Sequence, residues 1–291
     1  MNCNSYNQDM SIIATWIDGV ALRQRVAPSA NAVLNAIRDD PETASFCSAR
    51  ELAKRANVDV SSVVRAAQSF GYSGWSELST EVRRRYLSSL SNQTHFDRSQ
   101  RSNDAGPLGI LKKDIEVMNA LASSMDIATV EKVATSIATS QRTIILGTGS
   151  YAAPGTLLSH NAQCMGYPVY LSTGPLTGMI NDIRLLQPGD CVVSFSIWKT
   201  SRDVSLLSQI ARHRSVNLIV VADRHSHLAN IADELILVPS ESAGATASVT
   251  CAVAVVQCLL GALSDHAPDR TRMALEDLDQ IWEQTNAITK D

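Results

Sequence analysis

The run Thr143-Ile144-Ile145-Leu146 stops abruptly at Gly147-Thr148-Gly149-Ser150, and this junction restricts the fold more than any other stretch of the chain. Consecutive β-branched and leucine residues suit a strand buried on both faces, as in a parallel sheet. The two glycines let backbone approach a ligand closely, and Ser150 adds a hydroxyl. Behind them, Ala152–Met165 carries Leu157, Leu158, Ala162 and Met165 at helical spacing, so the first N–H groups of that helix face the turn, as in an anion cradle. Further strands are expected near Val169–Leu171, Cys191–Phe195, Asn217–Val221 and Glu234–Val238, with helices between them, a short element over Ser226–Ala232 and a turn at Pro188-Gly189-Asp190. The expected class is α/β. In such a sheet the ligand sits beyond the carboxyl ends of the strands, where the turns after the first and third strands meet.

Composition narrows the setting. A 291-residue chain with 45% hydrophobic and 19% charged residues can bury one large core or two domains and is not disordered throughout. No stretch approaches the about 18 consecutive apolar residues of a membrane span. Met1-Asn2-Cys3-Asn4-Ser5 lacks the regions of a signal peptide, so a cytoplasmic protein without membrane contact is expected. The cysteines Cys3, Cys47, Cys164, Cys191, Cys251 and Cys258 have no C-x-x-C spacing and read as reduced thiols, the pair Cys251 and Cys258 as core packing on one helix. His225 and His227 lack a third ligand at suitable spacing, and His160 and His213 read as packing or surface residues; no metal and no cofactor is expected.

Net charge is −4, yet residues 43–86 hold seven basic against four acidic side chains. The basic residues there are Arg50, Lys54, Arg55, Arg65 and Arg83-Arg84-Arg85, which either contact a phosphate backbone or cover a solvated helix face. The pattern in this part is helical. Ser11–Arg25 carries Ile12, Ile13, Trp16, Ile17 and Val20, and a second run with Val33, Leu34 and Ile37 ends at Asp39-Asp40-Pro41. Ser48-Ala49-Arg50-Glu51 is a capping box opening a short helix through Leu52, Ala53 and Ala56. After the turn Asn57–Val60, Asp59 or Ser61 can cap a second helix that turns Val63, Val64 and Ala67 inward and stops at Gly71. This is a helix-turn-helix layout, in which the second helix enters the major groove; Ser61, Ser62, Arg65 and Gln68 are groove-reading residue types on it. Trp75, Leu78, Val82 and Tyr86 mark a further helix.

The segments Arg50-Glu51-Leu52-Ala53, Val63-Val64-Arg65 and Phe70-Gly71-Tyr72-Ser73-Gly74-Trp75-Ser76-Glu77-Leu78 resemble the N-terminal domain of RpiR-type transcriptional regulators over roughly residues 10–90. Residues 91–107 are polar and aperiodic and read as a linker. Ile110, Ile115, Val117, Met118 and Leu121 then give one helix, and Asp126 caps another through Val130, Val133 and Ile137. The five parallel strands with their Gly-x-Gly-Ser turn resemble the sugar isomerase (SIS) domain of the same regulators, and Asp223, Ala232-Asp233 and a small-residue helix over Ala245–Leu263 match that pattern. The resemblance implies an all-α helix-turn-helix domain (1–90), a linker (91–107) and a three-layer α/β/α SIS domain (108–291) that binds an effector and dimerises.

Ser194-Phe195-Ser196-Ile197-Trp198-Lys199-Thr200 resembles the Ser-x-Ser-Gly-x-Thr turn by which sugar-phosphate-binding SIS domains hold phosphate, but Ile197 stands at the glycine and Lys199 at the threonine. Two readings stay open. Either Lys199 and Arg202 supply the lost anion-binding charge and Trp198 stacks on the ligand, or the two cations face solvent and Trp198 packs between subunits. The expected ligand residues are Gly147, Thr148, Gly149, Ser150 and Tyr151 on the first turn, Ser194, Ser196, Trp198, Lys199, Thr200 and Arg202 on the second, and Glu241 and Ser242 after the fifth strand. The resulting expectation is a non-enzymatic transcriptional regulator. It would bind double-stranded operator DNA as a homodimer or tetramer and sense a small anionic sugar-derived or related metabolite, possibilities in which a phosphosugar is included. The alternative is an aldose–ketose phosphosugar isomerase with an accessory helical domain and Glu241 as base.

Overall fold

A computed structural model describes residues 13–19, 26–101 and 106–288. The chain divides into two compact units, Met1–Ala105 with Ala243–Thr246 and Gly106–Ser242 with Ala247–Asp291. Among the described residues, no single helix is long and apolar enough to cross a membrane.

The first unit is all helical: residues 13–19, then α1 (Pro28–Asp39), α2 (Pro41–Phe46), α3 (Ala49–Ala56), α4 (Val60–Ser69), α5 (Trp75–Ser89) and α6 (Asn92–Arg101). Ile12 and Val20 of the expected first helix lie outside the described residues. Local chemistry sets the ends. Asp40 accepts from the Thr43 N–H (3.0 Å) to start α2, and Ser48 and Glu51 form the reciprocal capping box of α3. Asn57 closes α3 in the left-handed region (φ 52°), which Asn tolerates better than most residues, and Gly71 (φ 87°) follows α4. Asp59 occupies the N-cap position of α4, but its side chain makes no capping bond. Ala66 is buried beside Val63 and Ala67, whereas Val64, expected inward, is only half-buried. The core joins Ile13, Ile17, Val33, Leu34, Ile37, Leu52, Val63, Trp75, Leu78 and Val82.

The stretch 91–107 corrects the expectation of an irregular linker, because Asn92–Arg101 is helical. Apolar periodicity does not mark it; other contacts hold it. The Ser91 hydroxyl accepts from the Thr94 N–H (3.0 Å), and His95 and Ser99, four apart, are buried. Arg98 pairs with Glu42 (2.8 Å) and stands over the Phe46 ring (4.1 Å).

In the second unit, α7 (Pro107–Ser124) and α8 (Ile127–Thr139) precede β1 (Thr143–Leu146), α9 (Ala152–Cys164), β2 (Val169–Ser172), α10 (Leu176–Arg184), β3 (Cys191–Ser196), α11 (Arg202–His213), β4 (Asn217–Ala222), α12 (His227–Asn230) and β5 (Glu234–Leu237). The long helices α13 (Thr250–His266) and α14 (Pro268–Thr285) complete it. All pairings are parallel and the order is β2-β1-β3-β4-β5, so the direction of winding reverses between β1 and β3. The period-2 geometry of strands divides the apolar run between two layers. Ile145, Val193, Phe195, Ile219 and Val221 pack with residues of α7, α8, α9 and α13. Ile144, Leu146, Val192, Leu218 and Val220 pack with residues of α10, α11 and α12. This is the expected three-layer α/β/α arrangement.

Two helix readings need correction. α13 begins at Thr250 instead of Ala245, where the Ser248 hydroxyl accepts from the Thr250 N–H (3.2 Å). Cys258 is exposed and not in the core, because Leu259 and Leu260 take the inward positions of that turn.

In the first unit, Glu81 and Arg85 on α5 form a buried ion pair, with a 2.6 Å contact and side chains 4% and 10% exposed. Removing Glu81 leaves the buried Arg85 charge without its carboxylate, so Glu81→Ala is expected to lower unfolding free energy by about 3 kcal/mol or more, measured by denaturant titration. The double change Glu81→Leu with Arg85→Met is expected to cost clearly less.

Candidate functional site

Two surfaces collect the residues singled out from sequence. On the first unit, Arg50, Lys54 and Arg55 on α3 and Ser61, Arg65 and Gln68 on α4 are exposed. Ser61, Arg65 and Gln68 are four and three residues apart, so they share one helix face. Ser62 does not reach that face: it is buried, 5% exposed. Its hydroxyl accepts from the Arg65 guanidinium (3.2 Å), as does that of Ser61 (3.4 Å), so Ser62 orients the arginine from below. Arg55 is paired with Asp40 (2.9 Å). Hydrogen bonds from Thr43, and then the Arg55 charge, hold the Asp40 carboxyl below the usual carboxylate range.

Charge counting left the run Arg83-Arg84-Arg85 as a phosphate contact or a solvated helix face, and two of its members turn out to be engaged within the unit. Arg83 donates to the Ser45 carbonyl (2.9 Å) and stands over Phe46 (5.1 Å). Arg85 is buried against Glu81 and over the Trp16 ring (4.5 Å). Both serve the core of the unit.

On the second unit, the turns after β1 and β3 stand at the carboxyl edge of the sheet where the winding reverses. Gly147 is required there, since an added Cβ would lie 2.7 Å from the Tyr151 carbonyl oxygen. Gly149 has φ +60°, and Gly149 and Ser150 are exposed while Thr148 is half-buried. The short 3-10 turn Gly149–Tyr151 leads into α9 and turns Tyr151 toward the core. The Tyr151 hydroxyl is buried and makes no hydrogen bond to the described residues. Burial, and secondarily the Asp223 carboxylate, pushes its pKa well up against the opposing pull of Arg224, so the group stays a neutral hydroxyl.

The second turn departs from expectation. Ser194 and Ser196 are buried, 0% and 2% exposed, and bond within the protein: Ser194 to Ser208 and Ser196 to Thr200, both at 2.7 Å. They brace the turn. Ile197 is buried in the core, Lys199 and Arg202 are exposed, and Trp198 is half-buried with φ +57°. A bulky residue in the left-handed region costs on the order of 1–3 kcal/mol and persists only where its surroundings fix it. Here they do. Asp223 accepts the Trp198 N–H at Oδ2 (2.8 Å), and Arg224 donates to the Trp198 carbonyl (2.6 Å).

Asp223 itself is 2% exposed; its Oδ1 pairs with Arg224 (2.7 Å) and its Oδ2 also accepts from the Ser240 hydroxyl (2.9 Å). Sequence reasoning marked Asp223 only as a pattern match and missed the roles of Arg224 and Ser240. A charged residue directly after the apolar run Leu218–Ala222 was the available signal. Glu241 and Ser242 are half-buried just beyond Ser240.

Residues 21–89 match the model of the rpiR-family helix-turn-helix domain. The sugar isomerase domain of an RpiR transcription factor from Sphaerobacter thermophilus aligns with 60% of this chain and 98% of its own, at 24% identity and a TM-score of 0.58. The Vibrio vulnificus NanR protein complexed with ManNAc-6P aligns with 95% of this chain and 98% of its own, at 15% identity and a TM-score of 0.59. At these identities the structural likenesses establish the fold.

Because the Tyr151 hydroxyl is buried and unbonded, Tyr151→Phe is expected to raise the stability of the unliganded chain by up to about 1 kcal/mol in thermal unfolding. Gly147→Ala must move backbone and is expected to cost about 1–3 kcal/mol. Gly174→Ala, with nothing within 4 Å of its added Cβ, is the neutral control.

Proposed function

We propose that this chain, an RpiR-type regulator with an rpiR-family helix-turn-helix domain and a SIS-fold domain, binds operator DNA with α3 and α4 and senses a small sugar-derived metabolite at the carboxyl edge of the sheet. The observation that carries the DNA reading is the exposed line Ser61, Arg65 and Gln68 on the second helix of the motif. Arg65 suits a guanine edge, Gln68 an adenine edge and Ser61 a base or phosphate, while Arg50, Lys54 and Arg55 suit the phosphate backbone. The NanR relative is a complex with ManNAc-6P, which supports a sugar-derived effector. The groups assigned to it are Gly149, Ser150, Tyr151 and Trp198, with Thr148, Lys199, Thr200, Arg202, Glu241 and Ser242 at the rim.

The working division is a head over residues 1–90, a connecting segment over 91–107 and a sensor over 108–291. The chain acts in the cytoplasm as a homodimer or a tetramer, so its operator is roughly palindromic. Binding, and no isomerisation, is its activity. An effector changes DNA affinity only through unequal affinity for the DNA-competent and incompetent states.

Fluorescence anisotropy with the chain's own promoter region tests this reading. Arg65→Ala and Gln68→Ala are each expected to cost about 1–3 kcal/mol of operator binding, whereas Lys54→Ala weakens all sequences alike and lowers the salt slope by about one. Binding to that promoter no tighter than to random DNA overturns the regulator reading. Robust aldose–ketose turnover abolished by Glu241→Gln would instead establish the isomerase.

A further inference from the structure

From α4 the helical unit buries Ser62, Val63, Ala66 and Ala67, and two valines of the same helix stay outside that set. Val60, its first residue, is 43% exposed, and Val64, one turn on, is half-buried. Neither packing nor helix propensity accounts for Val60. Valine is a weak helix former, and the first turn of a helix gains from acidic side chains, of which this turn has none. At about 100° per residue the outward face of α4 divides lengthwise, with Val60 and Val64 along one flank, Ser61 and Gln68 along the middle and Arg65 along the other flank. A groove-reading helix thus carries an apolar strip beside its polar one.

We propose that Val60, extended by Val64, reads thymine: its side chain packs on the C5 methyl of one thymine in each operator half-site. The second helix of such a motif presents its N-terminal residues to the base edges, and Val60 opens that helix. In the major groove the thymine methyl is the apolar landmark among hydrogen-bond donors and acceptors. Contact with it removes the exposed valine from water, a gain that cytosine, without the methyl, does not offer. Arg65, held by Ser61 and Ser62, stands on the opposite flank, so the thymine and the base read by Arg65 are different positions of one half-site. This inference rests on the reading of α4 as the DNA-recognition helix and adds to it a base and the residues that select it.

The test measures binding of the full chain, by fluorescence anisotropy, to its own promoter region and to copies in which single thymines are replaced by deoxyuridine, which pairs like thymine but lacks the methyl. At one thymine of each half-site the replacement is expected to weaken wild-type binding about fourfold, the equivalent of one carbon group left unburied. Deoxyuridine also alters stacking, so the cycle with Val60→Ala isolates the contact. Val60→Ala is expected to keep its Tm, to bind the thymine and deoxyuridine promoters alike, and to bind the latter as tightly as the wild-type chain does. Absence of any thymine whose methyl matters to the wild-type chain overturns the proposal, whatever the variant does. An undiminished deoxyuridine penalty in Val60→Ala overturns it too, and a changed sedimentation of the DNA-free variant would then assign Val60 to a contact between copies of the chain. Wild-type binding to the promoter no tighter than to random DNA overturns the recognition-helix reading itself, and the inference with it.

Discussion

One buried carboxylate fastens three turns at the carboxyl edge of the sheet. Asp223, directly after β4, holds the Trp198 backbone after β3 and the Ser240 hydroxyl after β5. Arg224 completes the knot by neutralising Asp223 and gripping the other side of the Trp198 peptide. Removing a carboxylate from water is costly, and the ion pair with two further hydrogen bonds offsets that cost. The same contacts keep Trp198 in a backbone region that a tryptophan rarely adopts. The shape of the ligand-facing edge therefore follows from electrostatics within the domain.

The helical unit uses charge in a similar inward way. Three arginines of its basic stretches are engaged by the protein: Arg55 with Asp40, Arg83 with the Ser45 carbonyl and Phe46, and Arg85 with Glu81 and Trp16. Those contacts hold α2, α3 and α5 and the helical stretch 13–19 around one core. Among the residues that remain outward on the second helix of the motif, Ser61, Arg65 and Gln68 share one compact face. Specific base contacts need few side chains if those are well oriented, and the two serines beside Arg65 orient it.

The fold was legible because its signals are periodic and local. The run Ile144-Ile145-Leu146 behind Thr143, or the apolar run from Cys191 on, permits little besides buried parallel strands, and the capping box at Ser48 and Glu51 marks a helix start by its own chemistry. The site was legible only in part. Residue type placed Ser194 and Ser196 at the ligand, but burial assigns them to bracing, because the strand carries them inward and Ser208 on α11 and Thr200 in the same turn satisfy their hydroxyls. The helix Asn92–Arg101 escaped for a related reason: its stabilising groups, Arg98 with Glu42 and Phe46, are distant in sequence. Long-range polar pairing has no period, so neither the knot at Asp223 nor the burial of Arg85 could be read from spacing.

Thermodynamic linkage joins the two surfaces without any assumption about their relative placement. If a ligand at the carboxyl edge of the sheet changes operator affinity by some factor, operator DNA must change ligand affinity by the same factor. The most direct measurement is therefore a calorimetric pair of titrations with one sugar or sugar phosphate that binds the full chain: ligand into chain alone, and ligand into chain saturated with its own promoter fragment. The account predicts that the two ligand affinities differ, by the factor by which that ligand shifts the operator Kd. Identical ligand affinities with and without the promoter fragment would contradict it.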